Sequence, residues 1–408
     1  MGRARTPAEQ QIADLLRTAR RSLRLSVAFL SRLDGTTQHL EVVDTSVPFL
    51  FQEGYQQRQE VALCQAILDK RLPQVIPDLK RFPAAMELPA ARMPRLRSYV
   101  SVPVTLSDGT LYGTFCAAGL TSDKNLTTRD KALMDVLASA AAVIIEPEVR
   151  SQERREEIAG RLDPLIAAGG PAVVLQPVVS LATGQRVGAE ALSRFPGSWG
   201  MPPDACFAEA HSIGKGHRLE LLALERAAAL LDRVHGYVAI NVSAATLLTP
   251  GCRTLLARLP LARVLLELSE HDKVEDYAAL AAVLDPLRAA GLRLAIDDVG
   301  AGFSSLRHIV VTAPDVIKID RSIVTGLHAD PVLTKLVASL AEFAHGCGVE
   351  VVAEGVETAA EHAVLRGLGV DHGQGWHYGR PGPPEALTDP AAARIPGPRQ
   401  DVGATAVV

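Results

Sequence analysis

Two adjacent carboxylates, Asp297 and Asp298, stand where a short apolar run, Leu294 to Ile296, meets a glycine-rich turn that continues to Leu306. Burying paired carboxylates without a counter-charge is very costly, so two at the mouth of a strand point to a bound cation. The same arrangement recurs along the chain. Val238 to Ile240 ends at Asn241, Val264 to Leu266 at Glu267, and Val173 to Leu175 at Gln176. Asp315 to Ile317 leads to Lys318 and Asp320, and Val349 to Ala353 leads to Glu354. With Glu190 added, the residues Asn241, Glu267, Asp297, Asp298, Asp320 and Glu354 form a set of hard oxygen donors. Such donors suit Mg2+ or Mn2+ and are poor for zinc. They exceed what one octahedral ion needs and fit two, and two ions held about 3.5–4 Å apart are a known apparatus for phosphodiester cleavage. Lys318 is the only cation of the set, and Gln176 and Gln374 are neutral hydrogen bonders.

Each residue also has a plain alternative when taken singly. Glu267 fits an exposed position on an alternating edge strand, Asp320 a helix cap, Lys318 a simple partner for Asp320, and Asn241 an Asx turn. Taken together these alternatives fail, because independent accidents would not all fall at successive strand ends.

The elements that must position these groups follow from the pattern between residues 172 and 381, where apolar runs of strand length alternate with amphipathic segments. Glu220 to Val234, Tyr277 to Ala290 and Pro331 to Cys347 are such segments. Strand and helix repeated in this way predict a parallel (β/α) barrel, with functional groups at the C-terminal strand ends.

Residues 1–145 read differently, as an α+β unit. Val27 to Leu33 and Leu40 to Val43 bracket Asp34-Gly35, and a second hairpin is predicted on either side of Asp108-Gly109. The proline- and arginine-rich stretch from Leu72 to Arg97 suits a long loop or lid over a cavity. An amphipathic helix follows Thr127 and Thr128, and the mixed-charge segment 146–165 is expected to extend it as a connector helix. Residues 386–408, rich in Pro, Ala and Gly, are expected to form a disordered tail.

The 408 residues carry a net charge of -4, 22% charged residues and 4% aromatics, which argues against bulk attraction to nucleic acid or anionic membrane. The five cysteines show no C-x-x-C spacing, so reduced thiols in a cytoplasmic protein are expected. Cys64 and Cys116 read as core residues ahead of tetrapyrrole attachment or redox sensing.

These motifs carry two resemblances. Cys64, Val75-Ile-Pro-Asp78, Ser98 to Pro103, Asp108-Gly109 and Leu111 to Cys116 resemble a GAF domain. That resemblance implies a sensory or dimerisation module over 1–145, with a small-molecule ligand that the sequence does not identify. Gln176-Pro-Val-Val179, Glu190-Ala-Leu-Ser-Arg194, Asn241-Val-Ser243, Glu267-Leu-Ser-Glu270, Asp297 to Leu306, Lys318-Ile-Asp320, Glu354 to Glu357 and Gln374 to Pro381 resemble an EAL domain over 166–385. The fold implied is an EAL-type (β/α)8 TIM-like barrel preceded by an α+β GAF-like sensory domain.

The resemblance implies a phosphodiesterase that opens cyclic di-GMP to pGpG with two Mg2+ or Mn2+ ions, in a cytoplasmic homodimer regulated by the GAF-like domain. A non-catalytic cyclic di-GMP receptor is the alternative. By resemblance, Glu190, Asn241, Glu267 and Asp297 hold one ion. Asp297 is shared with a second ion held by Asp298 and Glu354 and supported by Asp320, while Lys318 acts on the attacking water. Gln176, Leu192, Arg194 and Gln374 contact the dinucleotide, and Glu270 and Glu357 support the site from outside. The glycine-rich turn departs from the family pattern. Val299 stands for a customary Phe, Ala301 for Thr and Phe303 for Tyr, which implies modest or tightly regulated activity.

Overall fold

A computed structural model of the chain describes residues 5–47, 51–92, 96–269, 274–300 and 311–387. It divides into two compact units, one ending at Glu156 and the other beginning at Glu157. The helix Thr128–Ala167 runs unbroken through that boundary.

In the first unit, six strands lie in the order β3-β2-β1-β6-β5-β4, and every neighbouring pair is antiparallel. They are β1 (Val27–Leu33), β2 (Thr37–Thr45), β3 (Gln56–Arg58), β4 (Val75–Ile76), β5 (Ser98–Thr105) and β6 (Leu111–Gly119). The stretch expected as a lid contributes β4 and short helical turns such as Pro83–Met86.

Period-2 alternation sends neighbouring side chains to opposite faces of this sheet. Phe115 and Ala117 pack with Ile12 and Leu16 of helix Pro7–Ser22 and with Met134 and Leu137 of the long helix. Cys116 and Ala118 face the other way, onto Leu63, Cys64 and Ile67 of helix Leu63–Leu68 and onto Tyr99. Helix Pro7–Ser22 begins on a capping box, in which Thr6 and Glu9 satisfy each other's backbone amides, and on Pro7 at the first helical position.

The second unit is a closed barrel of eight strands: β7 (Ala172–Ser180), β8 (Arg186–Arg194), β9 (Tyr237–Asn241), β10 (Val264–Ser269), β11 (Arg293–Val299), β12 (Val316–Ile319), β13 (Glu350–Ala353) and β14 (His372–Gln374). It corrects the all-parallel expectation at one strand. β7 is antiparallel to both of its neighbours, β8 and β14, while the remaining pairs are parallel. The reason is local: only Leu181 to Gln185 separates β7 from β8, too short for a crossover helix but suited to a hairpin. Gly184 takes a positive φ of 71° in that turn.

Inside the barrel, Val178, Ala239, Leu265, Ala295, Val316 and Val352 form an apolar plug. A larger apolar shell between strands and helices surrounds it, including Leu266, Leu294, Ile317 and Val351. Residues 388–408, which hold most of the expected tail, fall outside the described residues.

Candidate active site

The plug residues explain where the polar groups must be. Two residues further along the same strands, and therefore on the same inward face, stand Asn241 after Ala239, Glu267 after Leu265, Asp297 after Ala295, Lys318 after Val316 and Glu354 after Val352. On the reversed strand β7 the count runs backwards, from Val178 to Gln176, which lies directly opposite Glu190 of β8. Gln176 thus reaches the same rim from the middle of its strand, rather than ending a parallel one.

Adjacent residues of a regular strand point to opposite faces, so Asp297 and Asp298 should not both face the barrel mouth. A bulge resolves this. Ile296 pairs with Ile317 and Val299 with Ile319, so two aspartates oppose the single residue Lys318. Asp298 takes a left-handed φ of 59°, and its amide donates to Asp297 Oδ1 at 2.9 Å. Gly300 follows with φ 102°; a side chain there would strike Ile323, since a Cβ would lie 2.1 Å from its Cδ1.

Lys318 occupies the centre and is 2% exposed. Its Nζ lies 2.6 Å from Glu354 Oε1, 2.9 Å from Glu267 Oε1, 3.2 Å from Asp297 Oδ2 and 3.6 Å from Glu190 Oε2. Asn241 donates from Nδ2 to Glu190 Oε1 at 2.9 Å and to Glu267 Oε2 at 3.2 Å. Gln374 donates from Nε2 to Glu190 Oε2 and to Gln176 Oε1, and Gln176 in turn donates to the carbonyl of Gly379.

Four carboxylates around one ammonium would, if all were ionised, leave an excess of three negative charges in a buried place. The titration behaviour follows from that excess. Burial, opposed by Lys318 and reinforced by neighbouring carboxylates, pushes Glu354 up to about 8 and raises Asp297 and Glu267 as well. Against the same cost of burial, Lys318 and the amides of Gln374 and Asn241 hold Glu190 below its ordinary value. Despite burial, the four carboxylates raise Lys318 well above its usual range, so it stays charged.

The donor set fits divalent cations. Oxygens of Glu190, Glu267 and Asp297 lie within 4.8 Å of one another, as do oxygens of Asp297, Asp298 and Glu354. Asp297 belongs to both groups. Buried Glu267 Oε1 has Lys318 nearby but no hydrogen bond aligned on it, so it retains a free acceptor direction. All these donors are hard oxygens, as Mg2+ or Mn2+ requires.

Beside this cluster opens a cleft of about 370 Å³, lined by Asn241 and Glu267 on one side and by Leu192, Arg194, Asp204 and Phe207 on the other. Arg194 there donates to the carbonyl of Ser193. The structure therefore brings together Gln176, Glu190, Asn241, Glu267, Asp297, Asp298, Lys318, Glu354 and Gln374, with Leu192 and Arg194 along the adjoining cleft.

Two expected residues are placed otherwise. Asp320 belongs to neither carboxylate group; its Oδ1 accepts the amide of Ser322 at 2.9 Å and caps the turn Arg321–Val324. Glu357 has an exposed side chain, and its backbone amide donates to Glu361. Glu270, together with Ala301 and Phe303, lies outside the described residues. Val299 is buried at 1% exposure in the apolar shell.

One supporting group was not anticipated. Glu220, on helix Gly216–Ala228, is buried, and its Oε2 accepts both the amide (2.9 Å) and the hydroxyl (2.7 Å) of Ser243. Its Oε1 is paired with His211 Nε2. The carboxylate fixes the backbone two residues beyond Asn241. The available signal was a glutamate set among Leu219, Leu222 and Ala223 on the buried stripe of an amphipathic helix.

Comparison with known proteins accords with this geometry. Residues 159–381 match the EAL domain family and residues 7–146 the GAF domain family. The probable cyclic di-GMP phosphodiesterase PdeB of Escherichia coli K12 is 33% identical over 239 residues, covering 55% of this chain and 45% of that protein. The cyclic di-GMP phosphodiesterase PdeL of the same organism is 31% identical over 223 residues, 51% of this chain and 62% of its own. The chain thus spans less than two thirds of the length of either relative. Among solved structures, the PaMucR phosphodiesterase in complex with c-di-GMP superposes with a TM-score of 0.51 at 27% identity, over 57% of this chain and 99% of that one. The chain belongs to the EAL domain family and carries a GAF domain ahead of its barrel.

Proposed function

We propose that this chain hydrolyses cyclic di-GMP to linear pGpG in the cleft at the mouth of its barrel. The observation that carries the reading is the shared carboxylate, Asp297, between two oxygen clusters that meet around a buried lysine. Relatives and a structural neighbour named for cyclic di-GMP supply the substrate class.

Glu190, Asn241, Glu267 and Asp297 would hold one Mg2+ or Mn2+, and Asp297, Asp298 and Glu354 a second. When bound, such ions lower the pKa of water and neutralise charge on a phosphate. The chain's own groups do the rest. Lys318, held charged, orients the attacking water and offsets negative charge as the phosphate is attacked. Gln374 and Gln176 fix Glu190 so that its oxygens face inward. Arg194 offers the cleft a planar fork of donors suited to a phosphate or a guanine edge, and Leu192 an apolar contact. Asp320 acts on the second cluster at a distance, by fixing the turn after Lys318. The barrel domain proposed spans 166–385. The GAF domain, 1–145, regulates it through the helix that includes 146–165, in a cytoplasmic homodimer.

Chromatography of cyclic di-GMP incubated with the purified chain and Mn2+ tests the reading. It predicts pGpG with metal, none with EDTA, and a loss of about 10²–10⁴-fold in Lys318→Ala. Binding of cyclic di-GMP with no metal-dependent product would overturn hydrolysis in favour of a receptor. Deletion of residues 1–145 should change either turnover or oligomeric state.

A further inference from the structure

The last turns of helix Thr128–Ala167 belong to the barrel unit, and they carry an apolar stripe at helical spacing: Ile158, Leu162, Leu165 and Ile166. The stripe shares one apolar cluster with Phe207 and Ala210 of helix Pro203–Ser212, and with Phe195 and Trp199 just beyond β8. Arg161 stands beside it. Its Nη2 donates to Glu209 Oε2 at 2.5 Å, its Nη1 donates to Met201 Sδ at 3.3 Å, and its guanidinium carbon lies 5.7 Å from the centre of the Trp199 ring. The two charged side chains are 25% and 17% exposed, so the pair is largely withdrawn from water. An exposed ion pair is worth little, but a planar fork held on several sides fixes direction as well as charge.

Both of these holds lead to the cleft. Glu209 sits on helix Pro203–Ser212, whose Pro203, Asp204 and Phe207 line the cleft. From Trp199 an aromatic series runs the same way. Trp199 and Phe195 have ring centres 5.6 Å apart, and Phe195 meets Phe207 edge to face at 5.4 Å. Phe195 directly follows Arg194, which lines the cleft too. Arg161 therefore stands behind the cleft wall opposite Asn241 and Glu267, one layer out.

We propose that Arg161 is a positioning residue for the substrate, holding the wall that carries Asp204, Phe207 and Arg194 where a cyclic dinucleotide can be gripped. The inference rests on the reading of this cleft as the cyclic di-GMP site. Close-packed rings pass a displacement on rather than absorb it. Without the fork, helix Pro203–Ser212 is free to shift, and Asp204 and Phe207 shift with it. The cluster around Lys318 is held differently, by the pairing of β9 to β13, in which Arg161 has no part. Loss of Arg161 therefore falls on binding and spares the chemical step. The same helix makes a second ion pair, Asp163 with Lys215, but those side chains are 59% and 33% exposed and join no aromatic series.

Steady-state turnover of cyclic di-GMP by the full chain with Mn2+, and equilibrium dialysis of the same nucleotide, test the proposal. Arg161→Met should raise KM and weaken binding by roughly 3- to 30-fold, the range for residues coupled through a packed network, with kcat kept. Glu209→Gln should act in the same direction, and combining the two should cost no more than Arg161→Met alone. Arg161→Lys, which keeps the charge without the fork, should recover part of the affinity. Lys215→Met should leave KM at its wild-type value. A lower melting temperature with KM unchanged in Arg161→Met and Glu209→Gln would make the pair a structural staple and overturn the proposal. So would an equal rise in KM from Lys215→Met, which would signal general loosening. If Arg161→Met does not fold, Glu209→Gln carries the same test. A wild-type chain that neither binds nor opens cyclic di-GMP would instead remove the reading of the cleft, and the positioning role with it.

Discussion

Both domains bury polar groups, but in opposite currencies. The barrel buries charge: Lys318, Glu267 and Glu190 are all under a tenth exposed. The GAF sheet buries neutral groups: Ser31, Gln38, Ser101 and Thr114. In the sheet, donors and acceptors balance within the cluster, as in Ser31 with Thr114 and Gln57 with Gln38. A satisfied neutral network costs little and specifies packing. In the barrel four carboxylates face the single ammonium of Lys318, so their charges balance only as far as protons or bound cations are taken up. The barrel site therefore offers charge that divalent cations can take up, whereas the neutral groups of the sheet are paired among themselves.

The largest expected effect falls on the charged side of this contrast. Lys318→Met should cut turnover by about 10²–10⁴-fold. In the absence of divalent cation it should also lower stability by about 3–5 kcal/mol, since it removes the one cationic partner these buried carboxylates share. Chemical denaturation in EDTA and with Mn2+ separates the two effects.

Next comes the pH dependence of the metal-free chain. The folded state raises Glu354 from 4.5 to about 8, and raises Glu267 and Asp297 too, so it binds more protons than the unfolded chain between those limits. Their stabilising protonation is complete below about pH 4.5 and is lost as pH rises toward 8. Melting temperature in EDTA should therefore decline across that window, and Mn2+ should flatten the decline. A metal-free curve that rises from pH 5 to 8 would remove the argument for uncompensated charge.

A smaller effect is expected one layer out. Glu220→Gln should weaken the hold on Ser243 and raise the Mn2+ concentration for half-maximal turnover by about 10-fold, the order seen when supporting contacts to metal ligands are removed. If only thermal stability changes, Glu220 is structural and nothing more.

The least is expected from the neutral cluster. Ser31→Ala should cost about 1 kcal/mol, the net worth of an ordinary hydrogen bond, and should leave the metal dependence of melting unchanged.

Much of this site could be read from the chain because the barrel repeats one period. An inward apolar residue followed two places later by a polar one, as in Leu265 and Glu267 or Val316 and Lys318, marks a strand end without any knowledge of its neighbours. What escaped depends on geometry that period does not encode. The reversal of β7 hangs on the length of the Leu181 to Gln185 turn, and the joint orientation of Asp297 and Asp298 depends on a bulge whose count is set by β12. Asp320 and Glu357 follow motif positions, yet one caps a turn and the other is exposed. Glu220 was passed over because a carboxylate at the start of an amphipathic helical segment reads as part of its polar face. Arg161 and Glu209 lie far apart in sequence, and only the packing of their helices brings them together.

Counting bound Mn2+ per chain by equilibrium dialysis, in wild type and in Asp297→Ala, tests the central claim most directly. The shared carboxylate predicts two ions on the wild-type chain and loss of both in the variant, with Glu267→Gln losing only one. No bound Mn2+, or equal binding in Asp297→Ala, would contradict the reading of this barrel mouth as a two-cation site.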